Sequence, residues 1–286
     1  MRDRWRVAVL DSGLRDATAR LDLAAPLGQA APRDPVVSRN LAVPCAPAAS
    51  RVLAALPEPV ASCRFIDDGR TVLCSAVVPD PVGHGTSVAE VICGNRNNAR
   101  GCDFLVGQVL DHRGVTTAAA LAAAIHWSVR VGADLIHMSL GLREDRQTLA
   151  KAVAAAVDAG CIIVASTPAR GEGTYPACYP DVIRATGDAR CQWDEISDLH
   201  SSQADFGGCP RHASGPAASE DPRAVRLGGA SLGAAHVTRF LIEHVAPGLD
   251  AVAVRAQLSA VARYSGVEAR SNRQPLSHES WPPGTL

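Results

Sequence analysis

Apolar residues along the chain fall into short continuous runs that alternate with longer stretches of helical period, with turn residues between them. "RVAVL" (6–10) is a brief run, β-branched at two positions, that ends at the turn signal "DSG", which predicts a buried strand. Similar runs predict strands at "FLVGQVL" (104–110), "DLIHMSL" (134–140) and "CIIVAS" (161–166). Between them, "TTAAALAAAIHWSVRVG" (116–132), with Thr117 near its cap, and "DRQTLAKAVAAAVDAG" (145–160), ending on Gly160, have the spacing of helices. Another helix opens at a Gly-flanked histidine in "PDPVGHGTSVAEVICGN" and stops at Gly94, and residues 231–245 and 250–262 predict two more. Strands separated by crossover helices imply an α/β fold, with a mainly parallel central sheet covered by helices on both faces. In such sheets, sites gather at the carboxyl ends of the strands.

The rest of the pattern is weaker. Residues 14–62 form a divergent Ala/Pro-rich segment that predicts only short helices and loops, and 265–286 read as a loosely ordered polar tail. No linker divides 1–264, which is expected to be one domain. In "CRFIDDGRTVLC" an Asp68-Gly69 turn would set Cys63 directly opposite Cys74, a distance that permits a bridge. The odd count of nine cysteines leaves at least one unpaired, and nothing implies an oxidising compartment, so reduced thiols are expected. "CPRH" (209–212) has metal-ligand residue types but no second pair at matching spacing, so neither metal nor cofactor is expected.

Composition narrows the class. At 286 residues and 47% hydrophobic content the chain can bury a large core. A net charge of -1 and the lack of a dense Lys/Arg run argue against nucleic acid as a partner. No apolar run approaches the roughly 20 residues of a membrane span, and the N-terminal apolar run is too short for a secretory signal. A soluble cytoplasmic protein is expected.

Three polar residues stand at strand ends or helix mouths: Asp11 in "AVLDSG", His84 in "GHGTSVAEV" and Ser231 in "GASLGAAHV". Singly, they read as a turn residue, a helix-start histidine and an N-cap. Together they supply the hydroxyl, the imidazole and the orienting carboxylate of nucleophilic acyl transfer. A serine at a helix N-terminus has free N–H groups and a positive dipole end beside it, and its small neighbours admit a substrate. Gly233 and Ala234 are expected to let that helix approach the helix of the histidine.

"VAVLDSG", "GHGTSVAEVI" and "GASLGAAHV", in this order, resemble the three signatures of the subtilisin-like serine proteases, and "IHWSVRVGADLIHMSLG" is similar to the family's intervening segment. The likeness is best over 5–13 and 81–262. It implies a three-layer subtilisin-like fold. It also implies catalytic roles for Asp11 as orienting carboxylate, His84 as general base and then acid, and Ser231 as nucleophile. "MSLG" resembles the segment that pairs with substrate backbone, which makes Ser139, Leu140 and Gly141 substrate-contact candidates. His112 lies in a loop that borders the cleft in the family, whereas His126, His137 and His236 are expected only to serve the fold.

The chain departs from the family where an asparagine amide usually donates to the oxyanion. Here the chain reads "ASTPARGEG", with Ala169 at the asparagine position. Thr167 or Arg170 is the candidate substitute donor, and Arg170 would favour an acidic substrate side chain unless a structural ion pair already uses it. Ser87 and Ala235 replace a histidine and a proline of the usual pattern. Calcium loops are not recognisable in 14–80, and Asp11 lies too near Met1 for the family's pro-segment, so the chain is expected to fold unaided or to be an excised domain. These features predict a serine endopeptidase that cleaves an extended peptide or protein through an acyl-enzyme on Ser231, suited to selective processing such as leader removal from a small precursor peptide. The alternative is a catalytically weak or inactive peptide-binding pseudoprotease, which Ala169 favours.

Overall fold

The computed structural model describes residues 4–15, 56, 58–93, 101–211 and 228–268. Among the described residues ten strands lie in one sheet: β1 (Arg6–Asp11), β2 (Ala61–Asp67), β3 (Val72–Ser75), β4 (Asp103–Gln108), β5 (Leu135–Met138), β6 (Ile162–Ser166), β7 (Ile183–Gly187), β8 (Ile196–Asp198), β9 (Phe206–Gly208) and β10 (Tyr264–Ser265). Five helices accompany them: α1 (His84–Cys93), α2 (Ala118–Arg130), α3 (Gln147–Asp158), α4 (Ala230–His244) and α5 (Ala251–Val261). The strand order is β10-β8-β9-β7-β6-β5-β1-β4-β2-β3. Of these strand pairs, β2/β3 and β8/β9 are antiparallel and the others parallel.

Strand β1 shows how the sequence builds three layers. Successive side chains point to opposite faces. Val7 and Val9 pack with α1, α4 and α5, while Ala8 and Leu10 pack with α2 and α3. Both faces are therefore dry, which explains a continuous apolar run where a half-exposed strand would alternate. Two helices start as their sequences suggest. Thr117 accepts from the Ala120 amide at 3.1 Å and caps α2, and Asp250 accepts from the Ala253 amide at 2.8 Å and caps α5.

The hairpin differs from expectation. Phe65 pairs with Cys74 and Asp67 with Val72, so the register is shifted by two and the connection is four residues long. Asp68 is the cause: its carboxylate accepts from the Arg70 and Thr71 amides, at 2.9 and 2.8 Å, and its own amide bonds the Thr71 carbonyl. The side chain thereby draws the chain into a wider turn than the Asp-Gly pair suggests. A shift of two preserves the face, so Cys63 and Cys74 remain diagonal neighbours on it. Both are free thiols.

Strands β7 to β10 have no counterpart among the predicted elements. "ISD", "FGG" and "YS" are too short, and too rich in glycine and polar residues, to show a period. Neighbouring strands supply their pairing. The Ala/Pro-rich 14–62 stretch, the polar tail, Gly94 and His212 fall largely or wholly outside the described residues.

Candidate active site

Strands β1 and β4 run parallel with Asp11 opposite Gln108, which sets both side chains at the carboxyl edge of the sheet. Gln108 is buried, and its amide clamps the turn after β1. Its Nε2 donates to the Ser12 carbonyl at 2.7 Å and to the Val78 carbonyl at 3.2 Å, and its Oε1 accepts from the Val78 amide at 2.9 Å. Asp11, 1% exposed, accepts the Ser12 amide and His84 Nδ1 on the same oxygen, Oδ1, each at 2.7 Å. Its Oδ2 is buried without a partner.

His84 opens α1, and the glycine after it explains how that helix reaches β1. A Cβ on Gly85 would stand 2.4 Å from the Gly13 carbonyl oxygen, so only glycine lets the two backbones approach this closely. Asp80 fixes the start of the helix. One of its carboxylate oxygens accepts from the Val82 and Gly83 amides, and the other from the Thr86 amide and hydroxyl. Sequence reasoning missed Asp80 and Gln108, although an acidic residue four positions before a helix-start histidine is a capping signal.

Burial alone would lower the His84 pKa. The hydrogen bond and charge of Asp11, with the charge of Asp80, outweigh it and raise the imidazole above the usual 6.5. The raised value has two consequences of opposite sign. The folded chain binds this proton more tightly than the unfolded one, so the stabilisation is complete below the unfolded pKa and is lost as pH rises through the folded value. A histidine that serves as general base must be neutral, so any activity that depends on His84 in that role should rise over that same window. The ascending limb of kcat/KM against pH is expected above the unperturbed histidine value of 6.5 and should move to lower pH in Asp80→Asn. A limb unmoved by that change would show that Asp80 does not act on His84.

Ser231 lies in the first turn of α4. The residue before the helix, Gly229, has φ 72°, a left-handed conformation costly for other residues, and no side chain caps the helix. The amides of the first turn therefore face outward, ready for a negatively charged oxygen. The approach expected of Gly233 is directed differently: a Cβ there would stand 2.2 Å from the Thr186 carbonyl oxygen, so this glycine seats α4 on β7 and not on α1.

Asp11 and His84 are thus joined, whereas the Ser231 hydroxyl donates to the Ser139 carbonyl at 3.1 Å instead of to His84. Ser139 is buried, Leu140 half-buried and Gly141 exposed; the latter two enter no backbone hydrogen bond among the described residues, which leaves them open to pair with an extended chain. The next residue is already used, since Leu142 bridges Tyr175 in both directions. Thr167 is buried with an unpartnered hydroxyl. Ala169 and Arg170 are exposed in the following bend, and Arg170 enters no ion pair among the described residues. His112 and His126 are exposed. His236 packs edge-on against Trp193, with ring centroids 4.3 Å apart. His137, expected only to pack, stands against Ser139 at 2.7 Å.

Among the described residues no group of three or more His, Cys, Asp or Glu could hold a metal, and no helix is long and apolar enough to cross a membrane. A family model described as "Subtilase family" matches residues 3–274. The minor extracellular protease Epr of Bacillus subtilis (strain 168) is 34% identical over 114 residues, which make up 36% of this chain and 18% of that protein. An intracellular serine protease of Paenibacillus polymyxa is 31% identical over 120 residues, 37% of each chain. The matched stretches therefore span well under two thirds of these relatives. In three dimensions the chain is similar to a cold adapted subtilisin-like serine proteinase, with a TM-score of 0.53 at 17% identity over 89% of this chain and 81% of that one, a likeness of fold.

Proposed function

We propose, from the premise that the chain belongs to the subtilase family, that it is a serine endopeptidase acting on an extended peptide or protein segment. The observation that carries this reading is the 2.7 Å pair of the buried Asp11 with the half-buried His84, at the same sheet edge as a serine in the uncapped first turn of a helix. Ser231 attacks the peptide carbonyl while His84 Nε2 takes its proton, and Asp11 holds the other ring nitrogen and offsets the imidazolium charge. His84 returns the proton to the leaving amine, and water then opens the acyl-enzyme by the reverse path. Ser139, Leu140 and Gly141 hold the substrate backbone. The Ser231 amide stabilises the oxyanion, with Thr167 or Arg170 as second donor in place of the missing asparagine.

Rotation of Ser231 about its Cα–Cβ bond must release the hydroxyl from the Ser139 carbonyl before attack. Loss of one side-chain donor costs about 2.7 to 4 kcal/mol of transition-state stabilisation. Binding energy from remote parts of the substrate can offset such a loss. That supports a narrow substrate range, such as removal of a leader from a small precursor peptide. The eight described cysteines are all free thiols, which suits the reducing cytoplasm in which we place the protein.

Fluorophosphonate labelling combined with mass spectrometry of a peptide mixture tests this reading. Wild-type protein should be labelled on Ser231 and should cut a small subset of peptides, with acidic residues before the cut if Arg170 reads them; Ser231→Ala should do neither. The resting position of the hydroxyl and Ala169 favour a second reading, peptide binding without turnover. Folded wild-type protein that resists the label while retaining peptides would establish it.

A further inference from the structure

Strand β5 carries one polar side chain in an apolar run, "LIHM", and that imidazole is fully buried. A buried polar group needs partners, and His137 has two. Its Nδ1 lies 2.8 Å from Thr238 Oγ1, and its Nε2 lies 2.7 Å from Ser139 Oγ. The Ser139 hydroxyl donates in turn to the Ser231 carbonyl at 2.9 Å.

The proton positions follow from these partners. Ser139 has a single hydroxyl proton, and a carbonyl can only accept, so that proton goes to Ser231. Ser139 Oγ must then accept from His137 Nε2–H. The neutral ring is left with a lone pair on Nδ1, which accepts from the Thr238 hydroxyl. Burial, and to a lesser degree the nearby His84, push the His137 imidazole down to about 3, in keeping with a neutral ring that does not titrate with the rest of the site.

Ser231 and Thr238 are two helical turns apart on one face of α4, and His137 and Ser139 are two residues apart on one face of the strand line. The ring therefore ties helix to strand at both levels.

We propose that His137 is a positioning residue for the nucleophile: the relay from Thr238 through His137 and Ser139 holds the Ser231 backbone, and with it the oxyanion-facing amide, against the substrate-pairing segment. Ser231 and Ser139 are clasped in both directions, since each hydroxyl donates to the other's carbonyl. One half of that clasp must open for attack. The half made by Ser139 stays closed, so the Ser231 hydroxyl can rotate without moving its own amide. An aliphatic side chain would fill this space equally well, but it could not fix the direction of the Ser139 hydroxyl.

This inference rests on the peptidase reading above, and the experiment separates the two. The rate of labelling by a small fluorophosphonate is measured for wild type, His137→Phe, His137→Gln and Thr238→Val, with thermal unfolding recorded for each. Phenylalanine keeps a ring and removes both polar atoms, and labelling of the folded protein should slow by about 10- to 100-fold, the scale of a small misplacement at a reacting centre. Glutamine keeps one donor and one acceptor and should restore much of the rate, whereas a purely space-filling role would favour phenylalanine. Thr238→Val releases the far end of the relay, and its labelling should be slowed less than that of the phenylalanine variant. If His137→Phe does not fold, Thr238→Val decides alone, and labelling at the wild-type rate overturns the proposal. Wild-type protein that takes no label would instead refute the peptidase reading.

Discussion

Asp11→Ala is expected to lower kcat by about four orders of magnitude, as loss of the orienting carboxylate does in comparable triads. The structure adds a finer expectation for Asp11→Asn. In one well-characterised triad the asparagine replacement enforces the wrong tautomer of the histidine. Here both hydrogen bonds to Asp11 land on Oδ1, one from the Ser12 amide and one from His84 Nδ1, while Oδ2 has no partner. An asparagine oxygen at the Oδ1 position keeps both bonds and the tautomer. Its NH2 group occupies the empty side, where burial without a partner costs about 1 to 3 kcal/mol of stability. The charge is lost, so Asp11→Asn should fall between alanine and wild type in kcat, with its ascending pH limb moved to lower pH. Steady-state rates on one peptide substrate measure all three. Asp11→Ala within tenfold of wild type would remove the carboxylate from the mechanism, and asparagine as damaging as alanine would show that its amide turns.

Gly233→Ala is expected to be the most damaging single methyl addition to α4. Two effects oppose each other. Alanine in a helix interior is favoured over glycine by about 1 kcal/mol. Against this, the new Cβ would meet the Thr186 carbonyl oxygen at 2.2 Å and Gly187 Cα at 2.5 Å, atoms of the neighbouring strand's backbone that no rotamer change can move. Overpacking of this kind costs at or above the upper part of a range of about 1 to 3 kcal/mol, so the clash wins and the urea midpoint should fall. Ser231 is half a turn away, so activity should be lost together with stability as α4 lifts from β7. A midpoint equal to wild type would show that the helix does not press on the strand there.

Much of this site was legible because its signals are local. The apolar run of β1 ends at Asp11, α1 opens on His84 and α4 encloses Ser231 in its first turn, and each motif carries its own strand-end or helix-mouth geometry. The family likeness then related three motifs far apart in the chain. Asp80, Gln108 and His137 were harder to see because their importance lies in partners remote in sequence. A histidine in an apolar strand signals that some partner exists, but not that Thr238, 101 residues away, is one of them.

The hairpin and the short strands show the same division. Local composition indicated a turn near Asp68, yet the side chain's own hydrogen bonds set its length, and the sheet set the pairing of β7 to β10. The sequence by itself determined the alternation of the longer strands and helices and the dryness of both sheet faces, and it supplied the candidate side chains for the proposed chemistry, since periodicity and residue type record local burial and reactivity. The tertiary structure alone decided which oxygen of Asp11 meets His84, where the Ser231 hydroxyl rests and which strand Gly233 touches. These are matters of ångströms between segments distant in the chain, governed by packing that no local window contains.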